Sequence, residues 1–152
     1  VAVTGAQKCA LPISMITGTP DTTRWLRQIE RAGVLAWARG TMAGRLGNNA
    51  TPAQVNYWAE QIQGRTPLST LQSYLPWVPG VDIRPDLPKV KCPTLVMATT
   101  GSGLRPIEGV KAWQEKMSSA RLLVIDGDAW HPAGAYPDVC ARAALKFLME
   151  KT

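Results

Sequence analysis

Apolar positions recur at helical spacing through the middle of the chain and collapse into short unbroken runs near its end. The opening "VAVTGA" reads as a short buried strand that stops at Gly5. In "TPDTTRWLRQIERAGVLAWARGTMAGRLG" the residues Asp21 to Thr23 offer helix caps, and Trp25, Leu26, Ile29, Val34 and Trp37 approximate one apolar stripe. "ATPAQVNYWAEQIQG" carries the clearest helix signal. Thr51 and Gln54 make a capping box, Pro52 occupies the first turn, Val55, Trp58, Ala59 and Ile62 share a face, and Gly64 ends the element. "TPLSTLQSYLPWV" opens the same way at Thr66 and Pro67, with Leu68, Leu71 and Leu75 to one side.

Six prolines or glycines between Pro76 and Pro93 then break the periodicity, which marks a traverse rather than an element. Beyond it, "TLVMA" and "RLLVID" read as strands buried on both faces. Each is followed by a helical stripe: Ile107, Val110, Trp113 and Met117 after the first; Val139, Cys140, Ala143, Ala144, Phe147 and Leu148 after the second, with Pro137 at its first turn. Strand, helix, strand, helix on short connections predicts a parallel sheet covered by helices, so the last third is α/β. A helical insertion from about residue 8 to residue 81, between two strands of that sheet, describes the rest.

Composition excludes more than it suggests. The chain has 152 residues, enough for one domain with a real core. The formal charge of +6 comes from bases scattered singly, which argues against a nucleic-acid-binding stripe. Three cysteines, Cys9, Cys92 and Cys140, are far apart and set among apolar neighbours; they predict reduced thiols and a cytoplasmic protein rather than a disulfide framework. With a single histidine, a metal site is not expected, and nothing implies a cofactor. No apolar run reaches the roughly eighteen residues that a membrane span needs, so no membrane partner is expected.

In an open parallel sheet, chemistry gathers on the loops at the carboxyl ends of the strands. Two such loops can be placed, "TTGSGLRP" and "GDAWHPAGAYP", and the one histidine, His131, lies on the second. A strand-end imidazole is what a general base requires. Asp126 and Asp128, three and five residues away, read as solvated turn residues. Ser102, flanked by glycines, has a weak reading as a nucleophile, since no helix starts directly after it.

From residue 86 to residue 150 the chain resembles the C-terminal segment of an α/β-hydrolase. Pro93, Thr94 and Leu95 match the entry to a core strand, Gly127 and His131 match the catalytic-histidine loop, and Phe147 and Leu148 match the last helix. The resemblance implies the C-terminal part of an α/β-hydrolase parallel sheet with a helical cap insertion. Its parts would be a core strand over residues 1–7, a cap over 8–85 and the C-terminal core segment over 86–152. It assigns His131 as general base, then acid, and places Ser102 where the family usually has its catalytic carboxylate. The aromatic residues Trp25, Trp37, Trp58 and Trp77 of the cap, with Trp130, would form the wall of a site for a hydrophobic small molecule.

Two departures qualify this. No Gly-x-Ser-x-Gly nucleophile elbow occurs, and no carboxylate stands between Lys91 and Glu108. Asp21 is the first acid after the opening strand, a weak substitute. The chain also begins with Val rather than Met. The expectation is therefore a processed C-terminal chain that needs an N-terminal hydrolase chain carrying the nucleophile, because a sheet this small would expose apolar faces and an open edge. Together they would cleave an ester, lactone or amide. The alternative is a non-catalytic ligand-binding or interaction module on the same scaffold.

Overall fold

The computed structural model describes residues 21–80 and 82–150. The expected opening strand and Cys9 lie outside these residues. The described chain begins with helices α1 (Thr22–Ala32), α2 (Val34–Leu46), α3 (Pro52–Tyr57) and α4 (Leu68–Trp77). Two short 3-10 turns, Val78–Gly80 and Arg84–Lys89, carry the proline-rich traverse to strand β1 (Thr94–Thr99). Helix α5 (Ile107–Gln114), strand β2 (Ala120–Ile125), the single turn α6 (Pro132–Ala135) and α7 (Pro137–Met149) complete the order.

Local chemistry accounts for most boundaries. Asp21 caps α1 by accepting the Arg24 N–H at 2.8 Å. The reciprocal box at α3 is present: Gln54 N donates to Thr51 Oγ1 at 3.2 Å, and Thr51 N donates to Gln54 Oε1 at 2.8 Å. What reads as one long amphipathic segment is broken at Gly33 into α1 and α2. A further departure follows α3, where the helix widens into a π turn over Trp58–Ile62. The extra residue per turn shifts the stripe, so Ala59 stays buried while Ile62 is 45% exposed.

Three clusters hold these elements. Ile29, Trp37, Leu71 and Leu75 join α1, α2 and α4, with Trp25, Leu26 and Val34 packed against them. Ala38, Met42 and Leu46 on another side of α2 meet Ala59, Val55 and Trp58. Helix α2 is therefore gripped on two faces, which explains why its apolar residues do not form one stripe.

The third cluster belongs to the sheet. Strands β1 and β2 pair in parallel, Thr94 opposite Ala120 through Thr99 opposite Ile125. Val96 and Ala98 share a face with Ala120 and Leu122, and α5 covers it with Val110, Trp113 and the following Met117. Helix α7 packs on β1 through the buried Cys140 and Phe147 side. Among the described residues, however, β2 is not buried on both faces: Arg121 and Val124 are exposed, and only Ile125 is buried. Val139, Leu145, Leu148 and Met149 of α7 are exposed as well, so Val139 and Leu148 lie off the predicted inner stripe. No described helix is long and apolar enough to cross a membrane.

Candidate functional site

The ends of β1 and β2 are tied to each other by their own polar residues. Thr99 Oγ1 donates to the Ala129 carbonyl at 2.7 Å, Thr100 Oγ1 donates to Asp126 Oδ1 at 3.0 Å, and Gly101 N donates to the Gly127 carbonyl at 2.7 Å. The loop holding Ser102 is thereby bound to the loop holding His131. The sharp bend after β2 needs Gly127, whose φ of +144° is a backbone conformation that L side chains rarely adopt.

The helical segment supports the histidine loop from the other side. The last carbonyls of a helix lack intrahelical donors, and that of Arg45 in the last turn of α2 accepts from both Trp130 N at 2.8 Å and His131 N at 3.0 Å. Just beyond, Asn48 N donates to the Asp128 carboxylate at 3.0 and 3.2 Å, and Asn49 Nδ2 donates to Tyr136 Oη at 3.1 Å. Gly47, at φ +78°, lies so close that a Cβ would fall 2.2 Å from Asp128 Oδ1. Asp128 is therefore a clamp between the two halves of the molecule, where sequence reading made it a solvated turn residue. Asp126 is exposed and accepts the Thr100 hydroxyl.

His131 is partly buried and stacked. Its ring lies 4.8 Å from that of Trp130 with planes 16° apart, and 6.5 Å from that of Trp58 with planes 12° apart. Burial, together with the Arg45 and Arg105 guanidiniums, lowers its pKa from the usual 6.5 to about 4. Trp37 is buried and carries the Arg45 guanidinium at 4.4 Å, while Trp130 meets the same cation at 5.5 Å. Of the five tryptophans proposed for the wall, Trp58 and Trp130 stack on the imidazole and Trp37 reaches it through Arg45. Trp25 packs on Trp37 at 6.4 Å, in the cluster between α1, α2 and α4. Trp77 is 59% exposed beside Tyr74. Ser102 is 8% exposed, and its Oγ has no hydrogen-bond partner among the described residues.

The lowered pKa has a consequence for stability. Between pH 4 and 6.5 the unfolded imidazole binds a proton that the folded one does not, so stability rises with pH across that window and levels off above it. Because the ring is partly exposed, we expect a loss of about 1–2 kcal/mol on acidification from pH 7 to pH 4. His131→Gln should abolish that loss. Urea midpoints at several pH values check the effect, and NMR titration of the one imidazole should give a midpoint near 4.

Sequence reading missed Arg45 and Arg105 altogether. Isolated arginines in a helix and a loop carry no signal of their own, and only folding brings them to the histidine. Among the described residues no group of acidic, histidine or cysteine side chains is arranged to hold a metal ion. Cys140 is a buried free thiol, with its pKa raised by burial, and Cys92 is half-buried, its Sγ 3.9 Å from Thr94 Oγ1.

No protein-family model and no curated protein matches the chain. Solved structures do. A thermophilic esterase from Thermogutta terrifontis, solved with malate bound, superposes at a TM-score of 0.72 with 18% identity over 93% of this chain and 52% of its own. The enol-lactonase from Burkholderia xenovorans LB400 gives 0.73 and 18% over 90% of this chain and 53% of its own. A bromoperoxidase from Bacillus anthracis gives 0.70 and 19% over 85% and 48%. The chain thus spans about half the length of the hydrolases it matches. With its parallel strands, its histidine-bearing strand-end loop and these superpositions, it has the α/β-hydrolase fold and corresponds to the C-terminal portion of it.

Proposed function

We propose that the chain is the histidine-bearing C-terminal part of a serine-type α/β-hydrolase that cleaves an ester, lactone or amide bond of a hydrophobic substrate. The observation that carries this reading is the position of His131. The one imidazole stands at the carboxyl end of β2, held by two main-chain bonds to one helix carbonyl and by aromatic rings, on a fold shared with esterases and a lactonase. In this reading His131 takes the proton of a serine on an N-terminal hydrolase chain, and the serine oxygen adds to the substrate carbonyl. His131 then returns the proton to the departing alcohol or amine. Ser102 is aligned with the position of the family's acid, but its Oγ makes no hydrogen bond to His131 among the described residues, and a neutral hydroxyl stabilises a charged imidazole less than a carboxylate does. The exposed apolar side chains of α7 and β2 support an assembly with that second half.

One observation favours a second reading, a non-catalytic ligand-binding module. Among the described residues no carboxylate lowers the cost of protonating His131, and a base with a pKa of about 4 is weak at neutral pH. A fluorophosphonate probe separates the two. Labelling of the N-terminal half in the isolated assembly supports the hydrolase; retained ligand binding with no labelling supports the module and overturns the hydrolase reading.

A further inference from the structure

Arg45 holds the histidine loop by its main chain and by its side chain. Its carbonyl accepts from Trp130 N at 2.8 Å and His131 N at 3.0 Å. Its guanidinium, 8% exposed with the rest of the residue, lies 4.4 Å from the Trp37 ring and 5.5 Å from the Trp130 ring. Trp130 in turn lies 4.8 Å from the imidazole, with planes 16° apart. A line of contacts therefore runs from Trp37, in the cluster shared with Ile29, Leu71 and Leu75, through one guanidinium to the His131 ring. Burial lowers the Arg45 pKa only to about 10, so the group stays charged at neutral pH. A cation on an aromatic face is held by the ring quadrupole, and more firmly where water is excluded.

The guanidinium is itself oriented by Gln63, whose Oε1 accepts from Arg45 Nη1 at 3.2 Å. Gln63 Nε2 donates to Thr66 Oγ1 at 3.4 Å, which turns the amide oxygen toward the arginine. The π turn brings this about. Gln63 N donates to the Trp58 carbonyl five residues back, which places residues 58 and 63 roughly 50° apart around the helix axis, against about 140° in a regular α-helix. The two side chains thus share a face: the Trp58 ring lies 6.5 Å from that of His131, and the Gln63 carbonyl meets Arg45. One irregular turn supports both the imidazole and the arginine.

We propose that Arg45 is a positioning residue for His131: its guanidinium, oriented by Gln63, fixes the Trp130 ring, and Trp130 fixes the plane in which the imidazole presents its nitrogens. The inference rests on the reading of His131 as the proton-transferring base and adds the side chain that sets its geometry. The two main-chain bonds are available to any residue at position 45, so substitutions there isolate the part played by the guanidinium. Lysine supplies the charge without the flat group that packs on the rings.

The test uses the full chain in the assembly in which it is isolated. The imidazole proton resonances, assigned by their absence in His131→Gln, are recorded near pH 8, above the ordinary imidazole range of about 6.5, so that protonation does not move them. Ring currents from the stacked tryptophan displace them from the positions of a free imidazole. Arg45→Met should return them most of the way, and Arg45→Lys part of it. For a p-nitrophenyl ester, Arg45→Met should lower kcat by about 10–100-fold and leave KM within about 3-fold, as expected for a misaligned proton carrier. Arg39→Met, which breaks an exposed ion pair between α2 and the π turn, should change neither reading. Where near-UV circular dichroism shows that Arg45→Met has lost its packing, Gln63→Met decides, since it removes only the acceptor and should move the resonances in the same direction. Unmoved resonances or wild-type kcat in a folded Arg45→Met, or an equal loss in Arg39→Met, overturns the proposal. The resonances are read without turnover, so the two readings fail separately. Unchanged turnover in His131→Ala removes the hydrolase reading and leaves the resonances to decide the role of Arg45; His131-dependent turnover with unmoved resonances does the reverse.

Discussion

Replacing His131 with alanine is expected to lower kcat/KM for hydrolysis of a p-nitrophenyl ester by at least roughly 10³-fold in the assembly that contains the nucleophile. The loss should fall on kcat, because the imidazole moves protons during acylation and deacylation and contributes little to ground-state binding. The fold should survive the change. The main-chain bonds from Trp130 and His131 to the Arg45 carbonyl do not involve the ring, and Leu46 and Trp58 remain packed against Gly134. His131→Gln keeps a flat polar group between Trp130 and Trp58 and should be equally inactive, which distinguishes proton transfer from stacking. Unchanged turnover in either variant removes His131 from the mechanism.

Gly127→Ala is expected to be the most damaging substitution to the fold near the site. A Cβ there would stand 1.9 Å from Tyr136 Oη and 2.7 Å from Tyr136 Cζ, and the φ of +144° is itself strained for alanine. The phenol cannot simply swing away, because it accepts the Asn49 amide and anchors the histidine loop to the helical segment. We expect a destabilisation of about 2–4 kcal/mol, visible as a lower urea midpoint. A double-mutant cycle with Tyr136→Phe apportions it: removing the hydroxyl should recover part of the steric loss and leave the ring contact at Cζ and the backbone strain. Additive effects of the two substitutions would show that the contact with Tyr136 carries none of the cost.

Much of this architecture is legible in local pattern. The capping box at Thr51 and Gln54, the stripe from Ile107 to Met117 and the two apolar runs each specify an element from neighbours within a few residues, and those elements form. The π turn at Trp58–Ile62 is not legible, since its apolar spacing is that of an ordinary helix and one added residue per turn leaves no compositional mark. Nor is the exposure of Arg121 and Val124, because an apolar run looks the same on an edge strand as on a central one. For the site, His131 stands out as the single imidazole after a strand. The roles of Asp128 and Arg45 do not, since each depends on a partner about eighty residues away in the chain.

Among the described residues, local pattern along the chain thus sets most of the helices, the two parallel strands and the placing of one histidine at a strand end. These follow from periodicity, capping and turn chemistry, all of which act over short distances. What surrounds that histidine is set by tertiary packing: two tryptophans stacked on it, a helix carbonyl beneath its loop, and the partly desolvated guanidiniums of Arg45 and Arg105. Those features arise where the end of α2 meets the ends of β1 and β2. A charge in such a place is defined by what the fold buries next to it, and no local pattern records that.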